Sequence, residues 1–441
     1  MAGGFRSNAA LSLPYATGIT ITAAGAAAAF LYLLATTSDN AAANGRKNND
    51  HRRNVIPSPR TTLLPQLSAA EQHDLPYPPD GLLPGARDVD SPYGSVRVYE
   101  WGPEDGAKVL LVHGISTPCI ALAAVAEELV KSGRRVMLFD LFGRGFSDSP
   151  TGLPYDARLY TTQILLALAS SPLSWTGSAS QSFSIVGYSL GGGIAADFAS
   201  YFYPRLVSSL VLIAPGGVMR RERVSWKSWW LYDVCPLLMP QGLLRRLVGR
   251  RLYTPVGGDD DDDAAAASTT AAAADVGNAA QAEAGQVVAV QQGRGRSRRD
   301  SMLSHPAPLL GADRPHVTAA GAVNWQLAHH RGFVVPAFVS SMRCAPIYGQ
   351  QERWRVVGEK VEAERVAAVE KGERERRKGV LLLLGKDDPI VLVDEVGRDA
   401  VDALGGEDNV MTVVLEAGHE LPMSKPKEVV RAMVEFWEGA V

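Results

Sequence analysis

Residues 183–198, Phe-Ser-Ile-Val-Gly-Tyr-Ser-Leu-Gly-Gly-Gly-Ile-Ala-Ala-Asp-Phe, restrict the fold of this chain more than any other stretch. They read as a short apolar strand that runs into Gly187-Tyr188-Ser189-Leu190-Gly191 and then into an alanine-rich helix. A strand that reverses so sharply leaves little room for side chains beside its apex, and glycine brackets the serine for that reason. The turn lifts the Ser189 hydroxyl clear of the sheet and points the first amides of a helix at it. A hydroxyl presented in this way is a candidate nucleophile. Its use depends on a base, an acid and further hydrogen-bond donors elsewhere in the chain.

Four other stretches supply them, in order. Residues 108–115, Lys-Val-Leu-Leu-Val-His-Gly-Ile, form an apolar strand ending at His113-Gly114. Residues 135–140 form a second buried strand, which opens into Asp140-Leu-Phe-Gly-Arg-Gly-Phe-Ser-Asp148. Residues 380–391, Val-Leu-Leu-Leu-Leu-Gly-Lys-Asp-Asp-Pro-Ile-Val, place two carboxylates just beyond a strand, and residues 411–419 end a last strand at Gly418-His419. With these five motifs the chain resembles the α/β-hydrolase family over residues 92–220 and 379–440, and only loosely between them.

The resemblance implies a mostly parallel sheet with helices on both faces and a helical cap inserted after the sixth strand. It also implies a Ser189–His419–Asp388 triad, in the chain order this fold uses. A serine hydroxyl needs a neutral imidazole to take its proton, which is the role of His419; Asp388 fixes and stabilises that imidazole. Asp387 is the rival acid, and the spacing from Gly385 favours Asp388. The backbone amides of Ile115 and Leu190 are the expected oxyanion donors. His113 is expected to be structural, and Arg144 and Asp148 to brace the loop after Asp140.

Length allows one large α/β domain with a cap, since 441 residues exceed a single typical domain. A net charge of −3 does not mark a nucleic-acid partner, and three scattered cysteines suggest neither a disulfide framework nor zinc. No cofactor or metal is expected; His329-His330 in the cap are adjacent on a helix and face apart.

Residues 1–40 are read as an N-terminal hydrophobic segment. Residues 16–35 carry no charge and are long enough, as a helix, to cross a bilayer. Arg46, Lys47, Arg52 and Arg53 follow, against Arg6 before, which places the catalytic part on the cytoplasmic side of a single-pass anchor. The alternative is a cleaved segment and a secreted or organellar product. Residues 41–91 read as a linker, residues 92–219 as the first part of the core, and Ser95–Trp101 as its half-exposed antiparallel edge strand. Residues 220–378 form the cap region, whose acidic and alanine-rich insert at 257–300 is expected to be disordered. Residues 379–441 complete the core. Trp229 and Trp230 are candidates to line an acyl pocket over Ser189, within a cap stretch richer in apolar residues than docking requires.

A serine at the apex excludes the epoxide and halide chemistry that this family performs with aspartate. The leading expectation is hydrolysis of carboxylic esters, of lipid or other apolar acyl groups. A peptidase or amidase of the prolyl-aminopeptidase type shares the same parts, and a non-catalytic scaffold is the remote alternative.

Overall fold

A computed structural model describes residues 54–79, 82–176, 182–253, 308–310, 314–370 and 379–439. The uncharged stretch 16–35 and the insert 257–300 lie outside the described residues. Among the described residues no helix is long and apolar enough to cross a membrane.

Ten strands are present among these residues. A small antiparallel pair, β1 (Val55–Ile56) with β6 (Ser149–Pro150), stands apart from the main sheet. The main sheet is built from β2 (Arg87–Val89), β3 (Val96–Trp101), β4 (Lys108–Val112), β5 (Arg135–Phe139), β7 (Phe183–Tyr188), β8 (Val207–Ile213), β9 (Val380–Gly385) and β10 (Val410–Leu415). Their spatial order is β10-β9-β8-β7-β4-β5-β3-β2. From β10 to β5 every neighbouring pair is parallel, while β3 and β2 run antiparallel to their neighbours. Parallel strands need helical crossovers, which cover both faces and explain the unbroken apolar runs of β4, β5 and β9. The principal crossovers are α1 (Ala123–Lys131), α2 (Ala157–Ala169) and α3 (Leu190–Phe202). Between β8 and β9 come α4 (Gln241–Leu252), α5 (Ala319–His329), α6 (Arg331–Cys344) and α7 (Gln351–Glu370), and α8 (Pro426–Glu438) closes the core.

Two expectations need correction. The linker reading of residues 41–91 does not describe residues 54–79 and 82–91. Leu64, Leu82 and Leu83 are buried in the core, and β2 is the last strand of the sheet. Tyr77 is fully buried, its hydroxyl donating to the Asp140 carboxylate from 2.8 Å. Short elements and isolated contacts of this kind leave no periodicity in the sequence. For the same reason β3 is not the edge: β2 covers it, and its charged residues are buried in ion pairs. Arg97 meets Asp88 at 2.8 Å, and Glu100 meets Arg87 at 2.8 Å and Arg135 at 3.1 Å. A buried, paired arginine looks in sequence like an exposed one.

Candidate active site

β7 carries Ser189 to the middle of the sheet, between β4 and β8. The Ser189 backbone sits at φ 52° and ψ −119°, strained for a residue with a side chain. Three backbone hydrogen bonds hold it there: its N–H donates to Ile213 O at 3.0 Å, and its carbonyl accepts from Gly192 and Gly216, each at 2.8 Å. A methyl group at Gly187 would stand 2.2 Å from Gly191 O, and one at Gly191 would stand 2.1 Å from Val112 O. The turn therefore closes against itself and against the end of β4, and alanine is excluded at both positions.

His419 follows β10 and Asp388 follows β9, so two adjacent parallel strands deliver both partners to the same end of the sheet as Ser189. His419 Nε2 lies 3.1 Å from Ser189 Oγ, and His419 Nδ1 lies 2.7 Å from Asp388 Oδ2. The other Asp388 oxygen accepts from the amides of Ile390 at 2.7 Å and Val391 at 2.9 Å, which fixes the carboxylate. With Asp388 ionised, Nδ1 carries the imidazole proton and Nε2 accepts from the serine hydroxyl. All three side chains are buried. Asp387, the rival acid, is exposed, and its backbone N–H is tied to Ala417 O at 3.0 Å.

Leu190 is the first residue of α3, and Ile115 lies in the turn after β4, whose Val112 pairs with Gly187. The two amides expected to face a developing oxyanion thus belong to the turns on either side of Gly191. His113 is fully buried and uses both ring nitrogens, one against Gly114 O at 2.8 Å and the other accepting from Leu141 N–H at 2.9 Å. Burial, and then the charge of Arg144, hold its pKa down at about 3. It is neutral and occupied. Arg144 is itself fully buried: Nε donates to Ile115 O at 2.9 Å and a terminal nitrogen to Ser341 Oγ of α6, also at 2.9 Å. Asp148 accepts from Ser58 N–H at 2.8 Å and Ser95 N–H at 2.9 Å, bracing the loop from outside.

Trp229 and Trp230 lie in the short helical turns of the cap, Trp226–Trp229 and Trp230–Val234. Each is about half exposed, and the buried aromatic residue of that stretch is Tyr232, edge-on to Phe338 at 5.8 Å. Helical spacing in the sequence gives two apolar faces there and does not say which one packs. Sequence reasoning also missed Tyr188, Gln326 and Ser341. Gln326 Oε1 accepts from Gly145 N–H at 2.8 Å, so α5 and α6 each send one polar side chain into the loop after β5. Lone polar residues on apolar helices were the available signal. Among the described residues no cluster of three or more His, Cys, Asp or Glu could hold a metal ion.

The family described as "Serine aminopeptidase, S33" matches residues 103–274, the span that contains the elbow and the Asp140 loop. The chain has the α/β-hydrolase fold. Relatives include a serine hydrolase-like protein of Danio rerio, 30% identical over 132 residues that make up 30% of this chain and 38% of that protein. Another, a serine hydrolase-like protein of Dictyostelium discoideum, is 30% identical over 130 residues, 29% of this chain and 34% of its own length. The chain thus spans little more than a third of the length of the curated relatives it matches. Among solved structures it is similar to a bacterial membrane phospholipase A, with 16% identity, TM-score 0.48, and 96% of this chain and 98% of the other covered. It is also similar to the carboxylesterase CesB of Bacillus subtilis, with 14% identity, TM-score 0.45, and 81% and 92% covered.

Proposed function

We propose that this chain is a serine hydrolase that cleaves carboxylic esters of apolar acyl groups through an acyl-enzyme. The observation that carries the reading is the continuous relay from Ser189 Oγ to His419 Nε2 at 3.1 Å and from His419 Nδ1 to Asp388 Oδ2 at 2.7 Å. As Ser189 Oγ attacks the ester carbonyl carbon, His419 Nε2 takes its proton, and Asp388 stabilises the imidazolium. The carbonyl π electrons move onto oxygen, where the amides of Ile115 and Leu190 meet the charge; one such donor is worth about 3 kcal/mol. Collapse of the intermediate breaks the C–O bond, and the departing alkoxide takes the proton from His419. Water repeats the sequence on the acyl-enzyme, giving up its proton to His419 and releasing the carboxylate.

A prolyl-aminopeptidase type of specificity needs carboxylates to hold a substrate ammonium. In residues 220–253 and 314–350 of the cap there are two acidic residues, Glu222 and Asp233, against eleven lysines and arginines. Helices α5 and α6 carry none. That balance favours a neutral ester over an amino-terminal peptide. The reading extends to location, with residues 16–35 as a single-pass tether and the catalytic part on the cytoplasmic side. Alkaline extraction and protease protection of membranes test that part.

Labelling by a fluorophosphonate probe, lost in Ser189→Ala, tests the chemistry. A panel of p-nitrophenyl esters against aminoacyl-amides tests the class. kcat/KM rising from acetyl towards medium-chain esters supports the apolar acyl reading, because each buried methylene adds about 0.8 kcal/mol. A profile that falls steadily from acetyl overturns it.

A further inference from the structure

The first part of the cap is apolar on two opposite faces, and only one of them packs against the other described residues. Residues 226–238 run through three consecutive helical turns, Trp226–Trp229, Trp230–Val234 and Cys235–Leu238. Ser228, Tyr232 and Cys235 form the inward line, at spacings of four and three. Trp226, Trp229 and Trp230 fall on the outward side; Trp226 is 71% exposed, and Leu237 and Leu238 continue the run at 71% and 60%. In α4 the pattern repeats. Leu244, Val248 and Leu252 are buried, while Leu243 and Leu247 stand outward, one turn apart. One apolar stripe is enough to dock a helix on its own domain. The second needs another reason.

Charge points to the occupant. Residues 226–253 contain five basic side chains, Lys227, Arg245, Arg246, Arg250 and Arg251, and one acidic side chain, Asp233, a net of +4 on a chain whose total is −3. Arg246 and Arg250 are exposed beside Leu243 and Leu247, and Lys227 is exposed between Trp226 and Trp229. Tryptophan and leucine on one face, flanked by arginine and lysine, are the makeup of a helix that lies in the interface of a bilayer with anionic headgroups. We propose that the outward face of residues 226–253 is a docking surface for an anionic lipid bilayer. The tryptophans and leucines enter the headgroup–acyl boundary while Lys227, Arg246 and Arg250 meet lipid phosphates or carboxylates. The surface depends neither on the uncharged stretch 16–35 nor on the chemistry at Ser189.

Tryptophan fluorescence separates these contributions, because none of the chain's eight tryptophans lies in residues 1–53. The full chain is titrated with mixed phosphatidylcholine–phosphatidylserine vesicles whose acyl chains are brominated, and quenching is read. The expected result is quenching about twofold greater in the unsubstituted chain than in Trp226→Ser/Trp229→Ser/Trp230→Ser. Arg246→Glu/Arg250→Glu, which leaves every buried side chain in place, should lower the apparent vesicle affinity at least about tenfold. Salt should weaken the unsubstituted chain in the same direction. Equal quenching in the unsubstituted and tryptophan-substituted chains overturns the proposal, as does binding indifferent to Arg246 and Arg250. Shielding from an aqueous quencher without vesicles also overturns it. Shielding that grows with protein concentration assigns the face to a second copy, and shielding that does not assigns it to another segment of the same chain.

Discussion

Tyr188 and His419 meet twice: the Tyr188 hydroxyl donates to the His419 carbonyl at 3.0 Å, and the two rings lie 5.4 Å apart at an interplanar angle of 37°. Tyr188 immediately precedes Ser189, so the strand that presents the serine also grips the loop that presents the histidine. Tyr188→Phe keeps the ring contact and removes the hydroxyl, leaving a buried carbonyl short of a donor, at a cost of about 1–3 kcal/mol. The expected outcome is a kcat lowered about tenfold with KM little changed, because looser imidazole positioning penalises the transition state more than binding. Steady-state kinetics on a short-chain ester check this. An unchanged kcat with a lowered melting temperature would assign Tyr188 to stability alone.

The acid is the next test. Asp388 accepts three hydrogen bonds and is buried, while the neighbouring Asp387 is exposed. Asp388→Asn should lower kcat by several orders of magnitude, since an amide does not hold the tautomer that leaves Nε2 free to accept. Asp387→Asn should change it less than about threefold. Ser189→Ala and His419→Ala should combine with Asp388→Asn far less than additively, because the three act as one unit.

The parts of this arrangement that were legible in the sequence share one property: each is fixed by the backbone. Gly187 and Gly191 betray a close approach, and the β4, β5 and β9 runs betray strands buried on both faces. The contacts that were not legible are single side-chain choices made across large separations. Gln326 to Gly145, Ser341 to Arg144 and Tyr77 to Asp140 leave no spacing to read. Trp229 and Trp230 show the remaining ambiguity, since periodicity locates an apolar face without saying what it meets.

Arg144 makes one of those unread contacts. Its guanidinium holds the carbonyls of Ile115 at 2.9 Å and Phe142 at 3.1 Å, and reaches Ser341 Oγ at 2.9 Å. Ser341 in turn donates to Ala337 O at 2.8 Å and meets the Tyr160 hydroxyl at 2.7 Å. The Ile115 peptide is thereby tied to the cap. Arg144→Met should unsatisfy both carbonyls and lower kcat at least about tenfold. Arg144→Lys, which restores a cation but not the fork of donors, should recover only part of it. Ser341→Ala should cost about 1 kcal/mol of stability and a smaller fraction of kcat. Equal losses of stability and equal, unchanged kcat in Arg144→Met and Arg144→Lys would remove Arg144 from the positioning of Ile115.

His113 gives the chain a pH dependence whose sign follows from its burial. Its pKa is held at about 3 in the folded chain, first by burial and then by Arg144, against about 6.5 in an unfolded one. Between those values the unfolded state binds a proton that the folded state refuses, so stability from this group is fully present above pH 6.5 and is lost as pH falls towards 3. The slope is at most about 1.4 kcal/mol per pH unit, or about 2–3 kcal/mol between pH 7 and 4.5. Asp140, which faces the same loop, is displaced upward by its own burial, which opposes the trend as acid is added. A comparison at one pH therefore does not isolate His113. The difference between the native chain and His113→Asn does: urea unfolding at pH 7, 6, 5 and 4.5 should show the variant less stable at neutral pH and the gap narrowing by about 2–3 kcal/mol in acid. A gap that stays constant across the series would mean that His113 accepts its proton in the folded chain, with its ring turned away from Leu141 and Gly114.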